Sequence, residues 1–333
     1  MAIRLSELGS RLQATACWLN EFGGDTKEDA RIIDNLAPPN CADRTSLSFL
    51  FDPSLASEAG RAGAVIVEPK YSDLIPRPFI VGKPLVALAR AWHWLPILGA
   101  SRACNMDEDR QPAVSNQSFV HRSSTVGPNV VLGQNSTVGA NVTVEGEVRI
   151  GSFCNIGPNV SIKGPATIGN RVRIDANGTI GGDPFMYVQE QGHWLKVPSF
   201  SGVQIEDDVD IGSGTTIDRG LVSDTLIGKG VKLDSQVHIG HGVAIGNDTI
   251  IAGRTTVAGE VAIGRECKIG GACVINEGVT LTDNVTLLGM SAVTRSIMQQ
   301  GEYSSVWPVQ LRTQWWKQLA MLKKIAKQHG SHR

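Results

Sequence analysis

The stretch Val120-His-Arg-Ser-Ser-Thr-Val126-Gly-Pro-Asn-Val-Val-Leu132-Gly-Gln-Asn-Ser-Thr-Val138-Gly-Ala-Asn-Val-Thr-Val144 carries a Val or Leu at every sixth residue. The spacing continues through Ile150, Ile156, Ile162, Ile168, Ile174 and Ile180. It breaks across Gly182 to Gly202, resumes at Ile205, Ile211 and Ile217, and is displaced again by four residues around Leu221 to Asp224. From Ile227 it runs unbroken through Ile239 and Val257 to Val293. A period of six fits neither the 3.6 of a helix nor an isolated hairpin. It is the hexapeptide signature of a parallel β-helix, in which each repeat is a short strand and a turn. Each aliphatic side chain then points inward, the coils stack into one column, and no coil is stable alone. Three residues further on, Asn129, Asn135, Asn141, Asn159 and Asn284 recur, as a turn through the left-handed backbone region favours.

Composition agrees with a repetitive β architecture: 37 glycines and only 5% aromatic residues in 333. A formal net charge of −1 and 19% charged residues argue against a nucleic-acid binder or a disordered chain. None of the six cysteines, at 17, 41, 104, 154, 267 and 273, forms a CxxC pair, so no thiolate zinc site is expected. The first residues are charged, with no secretory signal, and no apolar run of about 18 residues follows. A cytoplasmic setting is expected.

Four segments follow from the pattern. Residues 1–105 lack the hexad and read as a small α/β domain: Leu5, Leu8 and Leu12 on a short helix, strands at Ser46-Leu-Ser-Phe-Leu-Phe and Ala64-Val-Ile-Val, and a second helix at Leu85-Val-Ala-Leu-Ala-Arg-Ala-Trp. Residues 106–117 are a polar linker, 118–300 the β-helix, and 301–333 an extension ending in a helix. On that helix Leu311, Trp315, Leu319, Leu322 and Ala326 make one stripe, beside the basic Arg312, Lys317, Lys323, Lys324 and Lys327. It reads either as a packing helix with a solvated face or as a landing site for an acidic partner.

The repeat resembles that of known hexapeptide proteins, in which three repeats close one triangular, left-handed coil. Residues i and i+18 then stack at the roughly 4.8 Å of neighbouring strands. In Val237-His-Ile-Gly-His-Gly-Val-Ala-Ile-Gly, His241 falls outside the column near a corner, with Gly259 one coil above and Glu277 two coils above. Imidazole suits a general base at neutral pH, and a neighbouring glycine N–H suits a developing oxyanion. Asp234, seven residues earlier, is a candidate to hold the imidazole tautomer. His238 is read as structural. The nearest further histidine, His193, lies in the insertion, so no metal site is expected.

Several blocks resemble one family: Ile211-Gly-Ser-Gly-Thr-Thr-Ile-Asp-Arg-Gly, Asp224-Thr-Leu-Ile-Gly-Lys-Gly-Val-Lys-Leu-Asp-Ser-Gln, Ile239-Gly-His, Ile251-Ala-Gly, Val257-Ala-Gly, Ile269-Gly-Gly-Ala, Gly289-Met and Gly301-Glu-Tyr-Ser-Ser. The family is UDP-3-O-acylglucosamine N-acyltransferase, and the resemblance spans the whole chain. It implies a left-handed β-helix, a homotrimer with sites in the grooves between neighbours, and no cofactor beyond the 4'-phosphopantetheine thioester of acyl carrier protein. An (R)-3-hydroxyacyl chain would move to the 2-amine of a UDP-linked, 3-acylated glucosamine in lipid A synthesis of a Gram-negative bacterium. His241 would be base, Asp234 its partner and Gly259 the oxyanion donor. Phe49 would stack on uracil, with Asp52, Met290 and Arg295 among the substrate-contacting positions and Lys317, Lys323, Lys324 and Lys327 receiving the carrier protein. The sequence departs from the family at Asp52 and Leu55, where Asn and Tyr are common, at Gly278 in place of a second histidine, and at the loop Gly182-Asp-Pro-Phe-Met-Tyr. Two other readings stay open: a sister hexapeptide acyltransferase, acting on a sugar hydroxyl or using acetyl-CoA, and a non-catalytic scaffold.

Overall fold

A computed structural model describes residues 2–12, 32–97, 111–306 and 309–329. From residue 113 to 303 the chain winds as a left-handed parallel β-helix of three faces. The faces begin with Ala113–Val114, Phe119–Val120 and Thr125–Val126 and hold nine, ten and nine strands. The first rung precedes the expected start at 118, and the last, Gly301–Tyr303, extends the second face beyond 300. The chain passes three corners per coil: a first between the first and second faces, a second between the second and third, and a third leading back to the first face.

The hexad aliphatics form the core. Val144, Ile162, Ile180, Ile217, Ile239, Val257 and Ile275 follow one another up the third face, each essentially buried. Stacking in register joins Val144 to Ile162 and Val257 to Ile275, eighteen residues apart. The corners are closed from inside by small hydroxyls and thiols. Ser136 Oγ donates to the Gly151 carbonyl at 2.9 Å and accepts from the Cys154 N–H at 3.0 Å. Thr255 Oγ1 donates to the Gly270 carbonyl and accepts from the Cys273 N–H. Cys154, Cys267 and Cys273 fill the same kind of slot, which explains three cysteines without redox chemistry; burial pushes their thiols up.

The turns pass through positive φ at Asn135, Asn141, Asn159 and Asn284, as the asparagine pattern predicts. Asn129 is not among the positive-φ residues, while Phe153, Gln236, Arg254, Glu260 and Met290 are. The coil geometry imposes the left-handed turn on whichever residue falls there. Stacked neighbours on both sides offset the roughly 1–2 kcal/mol steric cost.

Both interruptions of the period fall at the third corner. Ile168 pairs with Ile205 across the first, and Ile217 with Ile239 across the second. The first interruption carries a hairpin, Tyr187–Glu190 with His193–Lys196. Asp224 ties its base to the column, accepting from Ser201 Oγ at 2.6 Å, the Gly202 N–H at 2.7 Å and the Gln204 amide at 2.6 Å. Burial alone would raise this carboxyl, but the three donors outweigh it and hold it below its usual range.

The N-terminal domain is a four-stranded parallel sheet, Asn35–Leu36, Ser46–Leu50, Ala64–Val67 and Pro78–Ile80, with helices Leu5–Leu12 and Pro84–Trp92. Its core of Leu5, Leu8, Phe49, Ile66, Phe79 and Leu88 continues into the β-helix insertion through Val197 and Leu221. Arg90 grips Glu190 of the hairpin, Nε donating to Oε2 at 2.8 Å. Of the expected linker, residues 106–110 lie outside the described residues, while Ala113–Val114 already forms the first rung.

The C-terminal helix runs Arg312–His329. In the single chain it leaves Trp316, Met321, Leu322 and Ile325 exposed, beside exposed Lys317, Lys323 and Lys324; the side chain of Lys327 lies outside the described part. Among the described residues no helix is long and apolar enough to cross a membrane.

Replacing fully buried Ile239 by Ala should lower stability by about 2–5 kcal/mol. The outward Lys268→Ala should stay within about 0.5 kcal/mol of the parent. Denaturant midpoints measured side by side check both, and equal midpoints for the two variants would contradict the inward column.

Candidate active site

The two interrupted coils lead into the coil that carries the histidines, and all meet at the third corner. His241 is 9% exposed and lies flat against the backbone one coil above. A Cβ added to Gly259 would stand 2.3 Å from His241 Cε1 and 2.7 Å from both ring nitrogens. Only glycine leaves room for the ring. The Gly259 N–H has no acceptor among the described residues, so an unengaged donor adjoins an imidazole, the pairing that acyl transfer requires.

One coil below, Asp218 ends the third-face strand Thr216–Asp218. Its carboxylate faces His238 Nε2 at 3.8 Å and passes over Gly182, where an added Cβ would meet Oδ1 at 3.1 Å. His238 Nδ1 lies 2.8 Å from Thr216 Oγ1. Burial raises the Asp218 carboxyl, the nearby histidines His238 and His241 lower it, and Asp183 raises it; the balance is upward. Asp183 is in turn held by Arg219 at 3.0 Å and by Lys196 at 3.3 Å. Above, the Glu260 carboxyl is also raised, by partial burial against the coil, with His241 opposing and Glu277 adding to the effect.

Asp234 does not hold His241 within one chain. It stands at the second corner, and its carboxylate accepts from the Ser235 N–H at 2.7 Å and the Gly253 N–H at 2.9 Å. The carboxylate that faces the histidines is Asp218. A signal for it was present: the four extra residues make the stacking interval 22 at this coil, so Asp218 lies under Gly240, beside His241. Met290 is exposed at the second corner, and Arg295 is exposed at the third, three coils above His241.

Phe49 is also corrected. It is 1% exposed, its ring stacked on Phe51 and tilted against Phe200 of the insertion, both at 4.9 Å between centroids. A base has no face of Phe49 to stack on. Asp52 points elsewhere and caps the short helix after it, accepting from the Ser54 N–H at 2.9 Å. Half-buried Phe51 lines a cavity of about 550 Å³ between the domain and the hairpin, with Glu68, Lys83, Leu85, Met186 and Val188. No group of three or more metal-ligating side chains is found among the described residues.

The fold and corner define a hexapeptide-repeat protein with an acyltransferase-like histidine site. The profile of bacterial transferase hexapeptide (six repeats) matches residues 224–259, and that of the hexapeptide repeat of succinyl-transferase matches 122–145, 147–181 and 260–292. UDP-3-O-acylglucosamine N-acyltransferase of Dechloromonas aromatica is 40% identical over 343 residues, covering 97% of this chain and 94% of that protein. The protein of the same name from Delftia acidovorans is 33% identical, covering 91% and 87%. For the one from Pseudomonas aeruginosa LESB58 the match is 47% but spans only 44% of this chain and 42% of that protein. A solved UDP-N-acetylglucosamine acyltransferase from Campylobacter jejuni aligns at TM-score 0.48 and 26% identity, over 54% of this chain and 68% of that one. The chain belongs to the UDP-3-O-acylglucosamine N-acyltransferase family.

Gly259→Ala should displace the His241 ring and cut turnover about 100-fold, the scale of losing a positioned base or an oxyanion donor. The far-ultraviolet dichroism should stay unchanged. Full turnover in that variant would remove the His241–Gly259 contact from the mechanism.

Proposed function

We propose that the protein transfers an (R)-3-hydroxyacyl chain from the phosphopantetheine thioester of acyl carrier protein to the 2-amine of a UDP-linked, 3-acylated glucosamine, in lipid A synthesis in the bacterial cytoplasm. The observation that carries the reading is the His241 imidazole lying on the Gly259 backbone. As the amine attacks the thioester carbon, His241 takes its proton and returns it to the leaving thiolate. The Gly259 N–H meets the oxyanion. No further cofactor is called for, because a thioester is already activated and the protein need supply only proton movement and an oxyanion donor.

The uridine half fits the cavity beside Phe51. Phe49, itself backed by Phe200, braces that ring from behind, and Lys83 supplies a cation for the diphosphate. Met186 in the cavity wall is four residues from Gly182 under Asp218, at most about 14 Å of extended chain. A nucleotide sugar can bridge that span.

A homotrimer accounts for outward aliphatics on all three faces: Leu226, Ile250 and Val274 are 42–47% exposed in one chain. Cyclic symmetry closes such a contact. It would also set the second corner of one copy, with Asp234 and Met290, against a neighbour. Carrier proteins of this pathway are acidic, and exposed Lys317, Lys323 and Lys324 offer the complementary charge, with Lys327 as a fourth candidate in the sequence.

His241→Ala should lower kcat at least about 100-fold while light scattering still gives about three times 35.6 kDa. The decisive assay incubates the protein with hydroxyacyl carrier proteins of several chain lengths and the UDP-amino sugar, read by mass spectrometry. A product acylated on oxygen, or none, would overturn the reading. Phe51→Ala should raise the acceptor KM by roughly tenfold or more, since base–aromatic stacking is worth about 1–3 kcal/mol, with donor KM unchanged. An unchanged acceptor KM would move the uridine elsewhere.

A further inference from the structure

An amine acceptor poses a problem that one histidine does not solve. An amine beside electron-withdrawing groups titrates near the α-amino value of about 7.7–8, so at neutral pH it arrives largely as an ammonium. From that form the reaction releases two protons from nitrogen. One must leave before attack, to expose the lone pair; the second leaves as the C–N bond forms and ends on the thiolate. His241 can cycle the second, but while it holds the first it cannot serve as base.

The third corner contains a second, separate proton acceptor. His238 sits on the third face three residues before His241 and is about half exposed, while the Asp218 side chain is 15% exposed. The His238 ring is anchored at one end, with Nδ1 2.8 Å from Thr216 Oγ1, and its Nε2 faces the Asp218 carboxylate across 3.8 Å. The Asp218 carboxylate accepts no hydrogen bond from the described residues, and Gly182 beneath it leaves it room. Such a carboxylate gains most when its neighbour becomes an imidazolium. The other charges around the pair are His241, Asp183 with its partners Arg219 and Lys196, and, further up the corner, Glu260 and Glu277. This surrounding is mostly anionic, which draws an ammonium in.

We propose that His238 is the first proton acceptor, with Asp218 as its positioning residue: an N–H bond of the acceptor's ammonium breaks, the proton joins His238 Nε2, and the resulting imidazolium is balanced by Asp218. The free amine then attacks the thioester carbon. His241 takes the second proton, the C–S bond breaks, and His241 delivers that proton to the thiolate. His238 releases its proton to solvent through its exposed side. Ammonium plus thioester thus gives amide, thiol and one proton. The inference rests on the N-acyl transfer proposed above.

The test compares kcat/KM for the acceptor from pH 6 to 9 in the unaltered protein, His238→Gln, Asp218→Asn and His241→Ala. The glutamine keeps a side chain able to bond Thr216 but cannot take a proton. His238→Gln and Asp218→Asn should lose roughly 10- to 100-fold near pH 6.5 and recover to within about threefold at pH 9, where the amine is already free. Their acid limb should move up to about 8. His241→Ala should stay low across the range. A His238→Gln profile parallel to that of the unaltered protein, at any height, overturns the inference while leaving the N-acyl transfer standing. No amide product from the unaltered protein at any pH overturns both.

Discussion

Everything in this molecule depends on stacking one coil on the next. Each coil contributes a few aliphatic side chains and a set of backbone hydrogen bonds that only the neighbouring coils can complete. That constraint fixes the third-face aliphatics in a straight column and makes each corner a vertical edge. Chemistry placed on such an edge inherits the strand spacing of roughly 4.8 Å. A side chain on one coil therefore meets the backbone of the next at van der Waals distance, as His241 meets Gly259. The fold positions an imidazole against a backbone N–H with no loop to be ordered.

The same constraint explains why the insertion and the four extra residues share one corner. Added residues inside a face would break the register above and below. At a corner they can bulge outward while the strands beneath and above still pair, as Ile168 does with Ile205 and Ile217 with Ile239. The bulges then build the walls that a bare prism lacks. The first insertion packs on the N-terminal domain through Glu190 of its hairpin on Arg90 and through Phe200 on Phe49. One corner thereby acquires both a floor of histidines and carboxylates and a cavity beside it.

The period of six made the β-helix legible from sequence, along with the corner on which His241 stands and its glycine neighbour, because a strict repeat converts sequence distance into spatial distance. Legibility failed where the repeat failed. Asp218 went unseen because its interval to His238 and His241 crosses four inserted residues, so counting by eighteen misses it. Asp234 looked like a partner because seven residues is close in sequence, yet seven residues carry the chain around a corner of the prism. Phe49 and Phe51 alternate onto the same face of one strand, and nothing in that strand says which ring the insertion will cover. Phe200, some 150 residues away, decides it by lying on Phe49.

The arrangement also bears on why a nitrogen nucleophile would suit this corner. A sugar hydroxyl has one proton to lose and no charge to balance, so a single base suffices and anionic walls add nothing. The third corner instead sets Asp183, Asp218, Glu260 and Glu277 around two histidines, with Arg219 and Lys196 committed to Asp183. Burial raises Asp218 and Glu260 rather than letting them settle as solvated charges. Groups held in that state gain stabilisation when a cation arrives, and lose it when the cation gives up its proton to a base that departs with it. In the proposed reaction, such a site favours entry of the ammonium, and His238 would keep the released proton nearby as a charge that Asp218 already faces. On this proposal selectivity between nitrogen and oxygen would reside in the electrostatics of the corner, while an oxyanion at the Gly259 N–H would form with either nucleophile.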